Sequence, residues 1–241
     1  MKKIHASIIK ADGLKASYSS EKFKRSLLNS GATEEMAESI LKEVEPKIHE
    51  GISTKKIYRM AHGLLRERSR PLAAKYHLKG ALMELGPSGF PFEKFIGELL
   101  KQQGYSVRIG EIVKGKCVYH EVDVIAAKEI SQFMIECKYR NRPGLVCDVK
   151  IPLYIQSRFK DIEHQWTQLP GHANKIHQGW VVTNTRFTSD AILYGTCVGL
   201  HLLGWDYPKK NSLKDQIDKL ELYPITCFTT LTKFEKQQLL N

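Results

Sequence analysis

The chain has 241 residues, enough for one large domain or two of ordinary size, and 42% hydrophobic with 26% charged content suits a packed core. With 37 Lys and Arg against 26 Asp and Glu, the formal net charge is +11, a field that favours polyanions over acidic proteins or neutral metabolites. Nucleic acid leads that class, ahead of nucleotides and anionic membrane surface. Cys117, Cys137, Cys147, Cys197 and Cys227 are widely spaced and form no CxxC pair, so neither a disulfide framework nor a zinc knuckle is expected, and a reducing cytoplasm fits best. Lys10 and Asp12 interrupt the opening apolar run, which argues against a signal peptide. The most apolar stretch, "AILYGTCVGLHLLGW" from Ala191, is shorter than the roughly 20 residues a membrane span needs. A soluble protein without a membrane partner is expected.

In chain order, "KIHASIIKADG" predicts a strand with a DG turn into "KASYS", a hairpin. Ser20 then precedes "EKFKRSLLNSG", with Phe23, Leu27 and Leu28 at helical spacing. A second helix, "TEEMAESILKEVEPKIHEG", has Thr33 as N-cap, and Met36, Ile40, Leu41 and Val44 share one face. A third starts at Ser53 or Thr54, and a fourth carries Pro71 in its first turn and ends at Gly86. "GPSGFPF", residues 86 to 92, marks a composition break and a domain boundary.

Beyond it the pattern changes to a helix, "FEKFIGELLKQQG", then strands "YSVRIGEIV", "EVDVIAA", "FMIECKY", "GWVVTNT" and "GLHLLGW", with a helix at "TSDAILYGTC". This order predicts a mixed α/β sheet. The reading is a helical domain over residues 1–86, an α/β domain over 90–208 and a helical tail over 209–241.

Side chains alternate along a strand, so Glu121 and Asp123 share one face of "EVDVIAA", and Glu136 and Lys138 share one face of "FMIECKY". Adjacent strands can bring Asp123, Glu136 and Lys138 to one point. Converging carboxylates repel unless one is protonated or a cation lies between them, and hard oxygen ligands suit Mg²⁺. The other reading is that these residues are the solvated faces of two ordinary strands. Lys138, Arg140, Arg142, Lys150, Arg158 and Lys160 cluster along the sequence here, a supply of cations for backbone phosphates. No helix-turn-helix or zinc finger is evident for reading base sequence.

Asp123 followed thirteen residues later by "ECK" resembles the D…(D/E)xK signature of restriction-endonuclease-like nucleases, and "FEKFIGELLKQQGYSV" resembles the first helix of their Mrr-type catalytic domain. "GWVVTNTRFTSDAILYG" and "GLHLLGWDYP" resemble the later strand, helix and strand, so the similarity spans roughly residues 90 to 208. The resemblance implies that Asp123 and Glu136 bind Mg²⁺ or Mn²⁺ with the carbonyl of Cys137. It makes Lys138 the residue that positions water, with Glu93 reaching in from the helix as an additional ligand or through a metal-bound water. Gln156 is a further candidate by the same resemblance, and Glu121 is either a further ligand or a solvated neighbour. Double-stranded DNA is the implied substrate, and a homodimer or higher homo-oligomer is expected.

"IIKADGLKASYSSEKFKRSL", "EGISTKKIYRMAHGLL" and "PLAAKYHLKGAL" resemble the ATP-cone, a small helical nucleotide-binding regulatory domain, over residues 4 to about 84. That implies phosphate contacts from Lys10 and Lys22 to ATP or dATP, with Thr54 helping to enclose the nucleotide. Ala11 and Tyr58 depart from the family's pattern. No GxxxxGK[ST] is present, so a P-loop motor is not indicated. The fold expected is an α+β helical ATP-cone followed by an α/β restriction-endonuclease-like domain with a central mixed sheet. The function expected is a Mg²⁺-dependent DNA endonuclease under nucleotide control. The alternative is a non-catalytic, nucleotide-responsive regulator that binds nucleic acid.

Overall fold

A computed structural model describes residues 5–172 and 174–240. The chain divides into two compact units, one formed by the residues up to Leu82 together with those from Tyr223 onward, the other by Met83–Leu222. The segment 209–241 is therefore shared between the units, its first part in one and its last part in the other.

The first unit opens with a hairpin of β1 (Ser7–Ile9) and β2 (Lys15–Ser17), paired antiparallel. Gly13 turns the chain at φ 84°, a conformation glycine adopts without strain, and Asp12 Oδ1 accepts from the Leu14 N–H at 3.0 Å. α1 (Ser20–Leu28) is capped by Ser19, whose hydroxyl accepts from the Lys22 N–H. The expected cap, Ser20, sits one residue further on and donates to Glu45 Oε1, which also accepts from Tyr18 OH.

α2 (Glu34–Val44) is capped by Thr33 as the sequence predicts. It ends earlier than the periodicity suggests, because Pro46 cannot continue it and Glu45–Lys47 tighten into a 3₁₀ turn. β3 (Ile52–Ser53) adds parallel to β1, giving the order β2-β1-β3. At two residues it is too short to leave a periodic signal. α3 (Thr54–Arg68) and α4 (Arg70–Met83) follow, the former capped by Ser53. Leu27, Ile40, Leu41, Val44, Ile52, Ala61 and Leu65 form the buried centre of this unit.

The second unit begins with α5 (Phe90–Gln102), which starts two residues earlier than predicted so that Pro91 occupies its first turn. There its missing N–H costs nothing. β4 (Ser106–Lys114), β5 (Tyr119–Lys128) and β6 (Ser131–Lys138) form an antiparallel meander. β7 (Val146–Cys147) leads into α6 (Lys150–Trp166), which crosses to β8 (Ile176–Thr183), parallel to β6. β9 (Arg186–Phe187) pairs with β7, and α7 (Ser189–Cys197) crosses to β10 (His201–Leu203), parallel to β8.

The central sheet is mixed, with order β10-β8-β6-β5-β4. α5 lies tightly on its β4 side: a Cβ on Gly97 would fall 2.8 Å from Ile109 Cδ1. α6 packs Ile155, Phe159 and Ile162 into a core with Met134, Val181 and Leu202. α8 (Leu213–Leu220) closes the unit with a capping box at Ser212, and α9 (Lys233–Leu240) belongs to the first unit.

Candidate active site

The carboxylates lie where the β5–β6 ladder stops. Its last pair toward the site is Val124↔Ile135, so the next positions along the strands are Asp123 and Glu136. There a side chain replaces the ladder, and Asp123 Oδ2 accepts the Cys137 N–H at 2.7 Å. Asp123 is half-buried and Glu136 is buried, 5% exposed. Each oxygen of Glu136 is covered by a cation: Lys138 Nζ contacts Oε1, and Arg158 Nη1, from α6, donates to Oε2 at 2.6 Å. Arg158 also donates to the Glu121 carbonyl. Arg158 is thus a member of the site and not a free phosphate contact, and Lys160 pairs with Glu163 at 2.7 Å.

Glu93 comes from the first turn of α5 and folds back over Gly89, where a Cβ would stand 3.2 Å from its Oε1. Burial pushes its carboxyl up to about 7, with Asp123, Glu121 and Glu136 adding repulsion and Lys138 opposing it. Asp123 is raised to about 6 by burial and by Glu136, against the Cys137 N–H, Lys138 and Arg158. Four carboxylates therefore feel one another across α5, β5 and β6. Such a group lowers its energy by holding protons or by taking up a cation.

The end of β6 that carries Lys138 is held from β8 and the turn after it. Thr183, paired with Lys138 in the ladder, donates its hydroxyl to the Lys138 carbonyl at 2.7 Å. Asn184 then imitates another strand residue, accepting the Arg140 N–H at 2.9 Å and donating to the Arg140 carbonyl at 2.7 Å. Thr183, Asn184 and Thr185 are all buried. On the other side Tyr139 OH donates to the Met83 carbonyl at 2.6 Å.

One contact was not foreseen from the sequence, and one candidate named from it, Gln156, takes a definite place. Asp161 of α6 accepts the Cys117 and Val118 N–H groups at 2.9 and 3.3 Å, and its Oδ2 lies 2.8 Å from His120 Nε2. This clamps the β4–β5 turn to α6. Gln156 Oε1 is buried and has no hydrogen-bond partner among the described residues, an open acceptor on the same helix as Arg158.

The donor chemistry fits a hard divalent cation, because Asp123 Oδ1 and the Glu93 carboxylate have no cationic partner among the described residues and both carry protons too readily for free carboxylates. The side chains as they stand do not enclose such an ion: no group of three or more His, Cys, Asp or Glu among the described residues is close enough to hold one.

In the first unit, the β1–β3 register ends with Ile9↔Ser53, so Lys10 follows the end of β1 and Thr54 opens α3 directly after β3. Lys22 lies in the first turn of α1. No hydrogen bond or ion pair among the described residues joins Lys22 to the other two. Tyr58 OH lies 2.6 Å from His77 Nδ1 and its ring stacks on Tyr76 at 5.1 Å.

No family model matches the chain. An uncharacterised protein of the archaeon Archaeoglobus fulgidus is 37% identical over 132 residues, 54% of this chain and 70% of that one. The crystal structure of a protein of unknown function, AF1548, superposes with a TM-score of 0.52 at 33% identity, covering 61% of this chain and 73% of that one. Can2 from Sulfobacillus thermosulfidooxidans, solved with cyclic tetra-adenylate, is similar at a TM-score of 0.37 and 14% identity over 56% of this chain and 36% of its own. Similarity at that last level does not bear on activity. No helix among the described residues is long and apolar enough to cross a membrane.

Proposed function

The chain belongs to the family of that Archaeoglobus protein, and we propose that it is a divalent-metal-dependent nuclease that hydrolyses DNA phosphodiester bonds at Glu93, Asp123, Glu136 and Lys138. The observation that carries this reading is the pair of carboxyls Glu93 and Asp123, raised to about 7 and about 6 by burial first and by neighbouring carboxylates second, beside a lysine already in contact with Glu136. A carboxylate with a purely structural role would be expected to be surrounded by donors, as Asp161 is.

Asp123, Glu136 and the Cys137 carbonyl would hold Mg²⁺ or Mn²⁺. The ion, when bound, supplies Lewis acidity at a phosphate oxygen. Lys138 orients a water for in-line attack and offsets charge that grows on the phosphate. Glu93, near neutrality in its proton affinity, accepts the proton of that water. A bond forms between the water oxygen and phosphorus as the bond from phosphorus to the 3′-oxygen breaks, and the departing oxygen takes a proton from a second solvent water, leaving a 5′-phosphate and a 3′-hydroxyl. Arg158 keeps Glu136 aligned while Lys138 turns toward substrate.

Lys10, Lys22 and Thr54 would bind ATP or dATP as a regulator, through a coupling of about 1 to 3 kcal/mol between the sites. The test is incubation of the protein with linear, nicked and modified duplexes and Mg²⁺ or Mn²⁺, beside Asp123→Ala and Lys138→Ala. Cleavage by the unaltered chain and a loss of at least about 10³-fold in both variants are expected. Equal cleavage by all three ends the assignment, and binding without cleavage on any substrate favours the regulator.

A further inference from the structure

The excess positive charge is not at the proposed reaction centre. The second unit, Met83–Leu222, holds 18 Lys and Arg against 16 Asp and Glu, a net of +2, whereas the first unit holds 19 against 10, a net of +9. Around the carboxylates Lys138 and Arg158 are engaged with Glu136, and Lys160 with Glu163, which leaves Arg140, Arg142 and Lys150 as the cations there without an ion-pair partner among the described residues. The second unit is thus nearly neutral in sum, and most of the charge available to a polyanionic substrate lies in the first unit.

Within that unit the charge is ordered along α3. Ile57, Ala61 and Leu65 are buried and define the face turned to the core. Lys55, Arg59 and Arg66 are exposed, and at 3.6 residues per turn they fall in one stripe on the side away from that face. None of them has an ion-pair partner among the described residues, in contrast to Lys24, which meets Glu34 and Glu38, and Arg68, which meets Glu43. The stripe runs about 16 Å from Lys55 to Arg66 at roughly 1.5 Å per residue, the axial length of about five nucleotide steps on one strand. Gly63 lies beside it and a Cβ there would touch nothing within 4 Å, so the helix backbone is open to close approach. At the end of the stripe is a cavity of about 480 Å³ lined by Arg66, Arg70, Thr229 and Thr230 along with Glu67. Two guanidinium forks and two hydroxyls make this concavity rich in donors suited to phosphate oxygens.

We propose that the basic stripe of α3, continued by Arg70 and this cavity, binds the phosphate backbone of nucleic acid, so that the first unit anchors the substrate on which the second unit acts. The inference names the surface that holds the substrate of the function proposed above, but binding by this surface does not require that cleavage occur. The spacing suits successive phosphates of a strand more than a single triphosphate, whose charge would engage only one end of the stripe.

Fluorescence anisotropy with a labelled duplex of about 25 base pairs, in chelator and across a salt series, tests it on the full chain. Arg59→Gln/Arg66→Gln/Arg70→Gln is compared with Lys209→Gln/Lys210→Gln/Lys219→Gln, an equal charge change at exposed positions of the second unit. The first variant should bind at least about tenfold more weakly, with the slope of log affinity against log salt reduced by about 2 to 3, because each lost phosphate contact removes roughly 0.9. The second should lose less than threefold. Melting curves of both should match the unaltered chain, since all six side chains are exposed. No duplex binding by the unaltered chain, equal losses in the two variants, or a first variant that loses ATP binding and keeps duplex binding would each overturn the inference. If the first variant loses duplex binding and no substrate is ever cleaved, the surface stands and the nuclease reading falls. If the first variant cleaves with unchanged KM, the surface falls and the nuclease reading stands.

Discussion

Asp123 on β5 and Asp161 on α6 lie in the same unit and are held in opposite ways. Asp161 is surrounded by donors: His120 foremost, then the Cys117 and Val118 N–H groups, which together keep its carboxyl well below the usual range. Asp123 receives a single N–H, from Cys137, and faces Glu136, so burial and repulsion carry it up to about 6. The first arrangement is complete without a ligand. The second leaves a carboxylate short of donors, and the difference separates a carboxylate used to fasten a turn from one that the proposed function assigns to a cation.

The largest expected effect breaks this comparison on the metal side. A cation must displace the protons that Glu93 and Asp123 hold, so Mn²⁺ affinity should rise at least about tenfold between about pH 5 and pH 8, with proton release on binding. Calorimetry in two buffers of different ionisation enthalpy measures both. Asp123→Asn should reduce the affinity by at least about a hundredfold, while Asp161→Asn should leave it within about threefold. An affinity independent of pH, or equal in the two variants, contradicts the assignment.

A smaller effect appears in stability without metal, and its sign differs at the two sites. The folded protein holds the Asp123 proton more tightly than the unfolded chain, so this group costs stability as pH rises from the ordinary carboxylate range through about 6. Asp123→Asn should then raise the melting temperature at about pH 8, and the gain should vanish near about pH 4. Asp161 is shifted the other way, so its stabilisation is present above the ordinary carboxylate range and is lost as pH falls. Asp161→Asn should lower the melting temperature at neutral pH and speed hydrogen exchange at the Cys117 and Val118 amides. Melting shifts of the same sign in both variants would erase the distinction.

Strand alternation made the directions of Asp123, Glu136 and Lys138 legible, and helix periodicity with cap chemistry located α2 and its Thr33 cap. The partners of those groups were not legible, because they come from elements far along the chain. Arg158 reads in the sequence as one more cation near a phosphate, and only the crossing of α6 over the sheet turns it onto Glu136. The Asp161 clamp spans 41 to 44 residues, a separation at which no local pattern survives. In the same way the net charge of +11 is read directly from the sequence, but its uneven division between the units depends on where the chain returns to the first unit at Tyr223.

The smallest expected effect concerns the support behind Lys138. Thr183 is fully buried, and its hydroxyl both donates to the Lys138 carbonyl at 2.7 Å and accepts the Thr185 N–H at 3.2 Å. Thr183→Val keeps the shape and removes these bonds, leaving a buried carbonyl and N–H short of a partner at a cost of about 1 to 3 kcal/mol. The backbone of Lys138 remains paired in the β6–β8 ladder, so the ammonium group should be loosened and not lost. The expected result is a fall in kcat of less than about tenfold with KM unchanged, since the residue acts on the position of Lys138 and touches no substrate. A KM that rises while kcat holds would place Thr183 in binding, and a loss as deep as that of Lys138→Ala would mean that the strand end, more than the lysine, carries the chemistry.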